Sequence, residues 1–415
     1  MSLQGPILIV ADEPVGTLAK AFTEAGAFPV VDVSWAGAAT AATEIHPAAI
    51  ILNEPGPTDS VAVSALTDQV AKSALFTPMV ARVPEDAPSA LPDALPIPEN
   101  ALIEQLISRV SSALRLRTLH STVIGRARSL KDERNIVAEL PAGDPLDDAT
   151  VLLVGRGRHH ATLSVAVGER MGVIGALSID HAAGCLKARE VDGVIIGDGL
   201  SANLIDAFLT VLSEDGRFRD LPIAVLNAGY DPGNLPNFIA ARDPIMLVER
   251  AIPFIRLRAR ETTLKRMLAS IECKGMIDAQ TGLFHERAFG EALSRAIEDA
   301  AERGVRLSLA RFSFDDPLDR RTSMDAARLM SRLVRNSDFA CRQADGSILF
   351  AFGDTELRDA HVAARRLASV LKHTMLRADR DRPGISPSVT LATLKSTDTL
   401  HSLLARVAAR PVAAA

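Results

Sequence analysis

Short, unbroken apolar runs alternate with helical patterns over roughly the first 110 residues, and then the alternation begins again. Pro6–Val10, Phe28–Val33, Ala48–Leu52 and Pro78–Val83 predict strands. Val15–Ala25, Ala36–Ile45 and Val61–Ala74 predict the helices between them, and Asn100–Arg117 a long amphipathic helix after them. A strand that is apolar at nearly every position has both faces buried. Such strands separated by helices predict a parallel sheet covered on both sides. Ala149–Val154, Val191–Ile196 and Leu221–Leu226 then match the first, third and fourth of these runs. Two α/β units at a period of about 145 residues predict a duplicated domain, not a solenoid.

Between the units, Leu114–Glu133 is basic and helical, and Pro141–Asp148 has the composition of a turn-rich linker. Val248–Ile277 predicts one long helix. Its Arg256, Arg258, Arg260, Lys265 and Arg266 are expected to form a solvated face. Asp278–Ala415 has a different order. Helix Glu286–Glu302, strand Arg306–Phe314, helix Met324–Asn336, a hairpin from Phe339 to Gly353, helix Thr355–Leu376, strand Ser386–Leu394 and a last helix predict an antiparallel α+β domain. The expected organisation is residues 1–112 and 149–258 as α/β domains, 113–148 as a helical linker, 259–277 as a linker helix, and 278–415 as the α+β domain.

The formal net charge of −5 argues against a general nucleic-acid binder, which needs surplus Lys and Arg to neutralise phosphates. The three cysteines lie at no metal or redox spacing, which suits a reducing cytoplasm. The opening MSLQGPILIVADEP lacks the basic stretch of a signal peptide, and no run of about 18 apolar residues is free of charge. A cytoplasmic chain without a membrane span is therefore expected. His159, His160 and His181 fit no metal spacing and are expected at the surface, and Cys341 in the core.

Each of the first two units resembles a response-regulator receiver domain of flavodoxin-like fold. Phosphoryl transfer to a receiver needs a carboxylate nucleophile, acidic Mg²⁺ ligands, a hydroxyl and a Lys. In the first unit Asn53 stands at the acceptor position, Ala11–Asp12 at the acidic pair, Val83 at the hydroxyl and Leu95 at the Lys. In the second, Gly197 is at the acceptor position, Gly155–Arg156 at the acidic pair and Asp243 at the Lys. Both are expected to be pseudo-receivers that pack between domains or subunits. Asp198, one residue along, is the remaining carboxylate.

Asp278–Leu283 (DAQTGL), with Arg287 and Phe289 following, resembles the D-x-x-T-G-L opening of GGDEF, or diguanylate cyclase, domains. His285 departs from the usual Asn. With the two receiver-like units this resembles the receiver–receiver–GGDEF order of the PleD-type response regulators. The resemblance implies a nucleotidyl-cyclase-like fold over the last 138 residues. Where the family carries its D-x-D metal ligands, this chain has Arg311, Phe312 and Ser313. Where the family has GGDEF, it has Ala344, Asp345, Gly346, Ser347 and Ile348. Two-metal chemistry needs those carboxylates, so a domain without catalysis is expected. Asp345–Gly346 also predicts a type I′ hairpin turn.

Arg335–Asn336–Ser337–Asp338 stands nine positions before Ala344 and matches the family's R-x-x-D inhibitory site. The resemblance implies that Arg335 and Asp338 bind cyclic di-GMP, supported by Arg366 or its neighbour Arg365. Arg335 is expected to end the Met324–Asn336 helix, held by the stripe Ala327, Met330, Leu333 and Val334. A guanidinium can grip guanine O6 and N7 bidentately, and a carboxylate can accept from the opposite edge. The expected function is a cyclic di-GMP effector with no cofactor, controlling protein–protein contacts. The resemblance further implies a homodimer at a cell pole. Its partners there are adaptors that bring a cell-cycle regulator to the ClpXP protease. The alternatives are a weak cyclase using Asp315 and Asp316 to make cyclic di-GMP from two GTP, and a ligand-free scaffold.

Overall fold

The computed structural model describes the chain except residues 1, 2, 4, 14, 54–59, 85–90, 92, 135–142, 228, 230–234, 315–317, 336, 375–386 and 409–415. The chain divides into two compact units, Met1–Gly125 with Pro141–Leu264, and Arg126–Leu140 with Lys265–Ala415.

The first unit holds two five-stranded parallel sheets of the same topology. One consists of β1 (Ile7–Val10), β2 (Val30–Val33), β3 (Ala49–Asn53), β4 (Met79–Val83) and β5 (Leu95–Pro98), in the order β2-β1-β3-β4-β5. Helices α1 (Gly16–Glu24), α2 (Trp35–Ile45) and α3 (Ser60–Ala71) connect them, and α4 (Ile103–Arg134) follows. The other consists of β6 (Thr150–Val154), β7 (Gly172–Ala176), β8 (Gly193–Ile196), β9 (Ile223–Leu226) and β10 (Phe238–Ala241), in the order β10-β9-β8-β6-β7. Helices α5 (His160–Gly168), α6 (Ile179–Ala188) and α7 (Ala202–Glu214) connect these, and α8 (Pro244–Glu272) follows. The order 2-1-3-4-5 is flavodoxin-like. Every residue of β1, β6 and β8 is buried, the physical content of their unbroken apolar runs. Among the described residues no helix lies between β4 and β5 or between β9 and β10. One apolar core joins both sheets through α4 and α8, around Val110, Ala113, Ala251 and Phe254.

Three expectations change here. The helices expected at Asn100–Arg117 and Leu114–Glu133 are one continuous helix, α4, because nothing between them breaks the hydrogen-bond ladder. Helix α8 stops at Glu272, before Ile277. Lys274 (φ 57°) and Gly275 (φ 72°) turn left-handed, and the Gly275 N–H returns to the Ser270 carbonyl at 2.9 Å. The arginines of α8 are paired or stacked, not solvated. Arg256 bonds Asp144 at 3.0 Å and also meets Asp93, Arg258 bonds Glu261 at 2.7 Å, and Arg260 lies 5.0 Å over the Phe76 ring.

The second unit is an antiparallel α+β domain. Its elements are α9 (Glu286–Arg303), β11 (Leu307–Phe314), α10 (Arg320–Leu333), β12 (Phe339–Arg342), β13 (Ile348–Gly353), α11 (Leu357–Thr374), β14 (Pro387–Thr393) and α12 (Leu400–Ala408). The sheet order is β12-β13-β11-β14. Residues alternate between its faces. Ala310, Phe312 and Phe350 pack under α10 and α11, while Leu309, Leu349 and Cys341 pack with α9 and α12. Burial pushes the Cys341 thiol up to about 12, which makes it a core residue. The fold class expected from the sequence, two flavodoxin-like domains followed by an α+β domain, is the one observed. Among the described residues no helix is long and apolar enough to cross a membrane.

Candidate functional site

The β12–β13 hairpin carries both sets of candidate residues, one at each end. At its turn, the Gly346 N–H bonds the Gln343 carbonyl at 3.0 Å, and the Gln343 N–H bonds the Ser347 carbonyl at 2.8 Å. Gly346 alone has a left-handed φ, 82°. A type I′ turn needs positive φ at both central residues. The turn is therefore centred on Ala344 and Asp345 with Gly346 following, the arrangement of a type I turn closed by a left-handed glycine. The expected Asp345–Gly346 type I′ turn is corrected accordingly.

The register of β11 against β13 sets Arg311 opposite Leu349, beside this turn. Its Nε donates to the Ser347 hydroxyl at 3.1 Å, and its terminal nitrogen pairs with Asp345 Oδ2. Asp345 Oδ1 in turn accepts from the Ser347 N–H at 3.0 Å and the Ser347 hydroxyl at 2.6 Å. Burial raises the Asp345 carboxyl, but the Ser347 bonds and the Arg311 charge outweigh it and hold it below its ordinary range. Ser347 and Ile348 are buried, and the Ser313 carbonyl accepts from the Ser388 hydroxyl at 3.3 Å. A bound cation here would meet a guanidinium already paired with the nearby carboxylate. Asp315 and Asp316, the alternative metal ligands, lie outside the described residues.

DAQTGL folds on itself. Asp278 Oδ2 accepts from the Thr281 hydroxyl at 2.6 Å, and the Gly282 N–H returns to the Asp278 carbonyl at 2.8 Å with Gly282 at φ 75°. Arg328 of α10 donates to the Gln280 carbonyl at 2.9 Å, which anchors the turn on the helix. Glu286, which carried no sequence signal, accepts from the Ala344 N–H at 2.9 Å and ties α9 to the hairpin turn.

At the other end of the hairpin lies the RNSD segment. Asp319 caps α10 by accepting from the Thr322 N–H at 2.9 Å, so the helix begins at Arg320, four residues earlier than expected. It ends at Leu333, and Val334 leaves in extended geometry (ψ 130°). Arg335 is therefore not the end of a helix; it sits in the loop beyond it and is exposed. No hydrogen bond or ion pair among the described residues engages the side chains of Arg335, Arg365 or Arg366, and all three are exposed. The Asp338 N–H bonds the Arg335 carbonyl at 3.0 Å. Asp338 is half-buried, and its Oδ1 accepts from the Gly353 N–H and the Ser337 hydroxyl, both at 3.2 Å. Burial raises the Asp338 carboxyl above its ordinary value, against the smaller opposing pull of Ser337, Gly353 and Arg335. Gly353, which the sequence marks only as the end of the hairpin, lets this loop close. A Cβ there would stand 2.4 Å from the Ser337 carbonyl oxygen. A glycine at the end of a strand was the available signal.

The residues expected at receiver-like acceptor positions, Asn53 and Gly197, are not carboxylates. Asn53 Oδ1 accepts from Arg82 at 2.8 Å. Gly197 packs so closely that a Cβ would lie 3.1 Å from Leu163. Asp198 faces the start of α5. Its carboxylate accepts from the Arg158 N–H at 3.1 Å and the His159 N–H at 3.2 Å, and lies 3.3 Å from His159 Nδ1. Burial raises it, and these amides and the His159 charge more than offset that, leaving it lowered. Gly157 crosses so close that its Cβ would fall 2.2 Å from Asp198 Cγ. Asp198 is thus committed to organising a loop. His181 is exposed as expected, but His159 and His160 are half-buried, because they begin the helix this carboxylate anchors.

No family model matches the sequence, and no curated protein matches it. Solved structures do resemble part of the chain. The coiled coil and GGDEF domain of DgcB from Caulobacter crescentus, in complex with c-di-GMP, is 20% identical and covers 35% of this chain and 83% of its own, with a TM-score of 0.30. The FimX GGDEF domain from Pseudomonas aeruginosa is 18% identical, covering 32% and 89%, with a TM-score of 0.29. The diguanylate cyclase SiaD from Pseudomonas aeruginosa, in complex with its activator SiaC, is 20% identical, covering 35% and 61%, with a TM-score of 0.30.

Proposed function

We propose that this chain is a non-catalytic cyclic di-GMP effector of the PleD type, with degenerate receiver-like and GGDEF domains. The ligand is gripped by Arg335 and Asp338, with Arg366 or Arg365 in support. The observation that carries the reading is an exposed guanidinium with no hydrogen bond or ion pair among the described residues, set three residues before a half-buried carboxylate whose charged form burial disfavours. Guanine offers two acceptors to the one and two donors to the other. Guanine N–H groups would relieve the burial penalty on Asp338.

The Arg311–Asp345–Ser347 network supports the absence of catalysis, because a paired guanidinium stands at a residue that the resemblance aligns with a metal ligand. Within the family the combination resembles PopA. That resemblance extends the proposal to a homodimer at a cell pole that uses adaptors to deliver a cell-cycle regulator to ClpXP. Calorimetric titration of the full chain with cyclic di-GMP tests the reading, alongside incubation with GTP and Mg²⁺. Saturable binding that Arg335→Ala removes, with no product from GTP, is expected. Absence of heat with the wild type would leave only the scaffold, and clear product formation would restore the cyclase.

A further inference from the structure

The first unit contains a cavity of about 1050 Å³ where its two sheets meet. Edge strands β5 and β10 and helices α4 and α8 build its wall. The two helices bring matched arginines to it. Arg109 and Arg250 each stand six residues after the first residue of their helix, and they are 8% and 6% exposed.

Arg109 staples the edges of the two sheets. Its guanidinium donates to the Pro96 carbonyl of β5, to the Phe238 carbonyl of β10 at 3.3 Å and to the Pro236 carbonyl at 3.1 Å, and lies 4.9 Å over the Phe254 ring. Arg250 donates to the Ala240 carbonyl of β10 at 3.2 Å. Every acceptor that holds Arg109 is a neutral carbonyl. A buried guanidinium held only by dipoles keeps most of its desolvation cost. Burial, and then the Arg250 charge, push Arg109 down to about 9. Arg219, between α7 and β9, and Arg242, just after β10, also line the cavity; both are exposed, and no ion pair or hydrogen bond among the described residues engages their side chains. Arg115 also lines the cavity and is paired with Asp220. Counting all of them, five guanidiniums face two carboxylates, Glu104 and Glu214.

We propose that this seam cavity is a binding site for a small phosphate-bearing anion, gripped by Arg219 and Arg242 and supplying the counter-charge that Arg109 lacks. A monocarboxylate matches one guanidinium fork. Several guanidiniums along one wall match an anion with oxygens pointing several ways, which is the chemistry of phosphoryl groups. The volume is that of a site for a nucleotide-sized molecule. Because the lining includes strands of both sheets, an occupant would bind at their junction.

The test uses the full chain carrying Arg335→Ala, so that the cyclic di-GMP site cannot report. It is titrated calorimetrically with inorganic pyrophosphate and separately with ATP, without Mg²⁺ and at ionic strength fixed with NaCl. Saturable binding of at least one probe is expected. In the Arg219→Ser/Arg242→Ser variant it should weaken at least tenfold, with the melting temperature of the unliganded chain unchanged. Both substituted side chains are exposed, so the fold is not at stake. Binding of pyrophosphate alone identifies an inorganic anion, and binding of ATP alone a nucleotide. No saturable heat from either probe, or equal affinity in the rim variant, would overturn the proposal.

Discussion

The two ends of one short hairpin have been treated in opposite ways. Strand β12 is four residues long, so its ends lie roughly 10–14 Å apart. At the turn, Arg311, Asp345 and Ser347 bond one another. At the open end, no hydrogen bond or ion pair among the described residues engages the Arg335 side chain, and Asp338 is half-buried with its carboxyl raised by burial. An exposed arginine costs little and by itself means little. A carboxylate drawn partly out of water beside it is different, because burial disfavours its charged form. Under the proposed effector reading, the contrast teaches that a lost catalytic site is filled by intrachain partners, whereas a binding site is left open.

The sharpest way to break the contrast is Arg335→Ala. One bidentate contact to guanine is worth about 1–3 kcal/mol, so affinity for cyclic di-GMP should fall roughly tenfold to a hundredfold by calorimetry. An unchanged affinity would show that the open end is an ordinary surface. Next in size is Gly353→Ala. A methyl placed 2.4 Å from the Ser337 carbonyl must push the loop away or strain it, at a cost of about 1–3 kcal/mol in chemical denaturation. Ligand affinity should fall with it, because Asp338 takes its position from the Gly353 N–H.

The sequence carried the sheets more fully than the loops. An unbroken run such as Ile7–Val10, short and mostly β-branched, favours a strand buried on both faces, and the repeat of that pattern in Thr150–Val154 announces a second copy. The D-x-x-T-G-L turn was legible because Asp278, Thr281 and Gly282 satisfy it among themselves. The end of α10 was not. Apolar spacing runs smoothly through Leu333 and Val334, yet the helix ends at Leu333, and the chain is paired with β13 from Phe339, a long-range contact with no local signature. The turn type failed for a similar reason: Asp-Gly favours type I′ in isolation, but Asp345 is held by Ser347 and Arg311 in the preceding position of the turn. Arg109 was invisible because its acceptors come from both sheets.

Acidity sharpens the contrast more gently, through the two hairpin aspartates. Asp338 is raised in the folded chain, so its neutral form is favoured. Its contribution to stability is fully present below the unfolded carboxylate value and is lost as pH rises through the folded one. Guanine recognition needs the charged form, so cyclic di-GMP affinity should drop as pH falls through that raised value. Asp338→Asn should flatten the profile and bind more weakly at neutral pH. An unaltered profile in that variant would assign the titration to another group.

Asp345 is lowered and must behave in the opposite sense. Its contribution is present above the unfolded carboxylate value and is lost only as pH falls through the lower folded one. With 53% of its side chain exposed, the pair with Arg311 is worth no more than about 1 kcal/mol. Asp345→Asn should therefore leave cyclic di-GMP binding untouched at neutral pH and remove a small part of the acid slope of stability, measured by denaturation at a series of pH values below the ordinary carboxylate range. If the substitution instead impaired ligand binding, the two ends of the hairpin would be coupled through the four residues between them, and the closed turn would be part of the site.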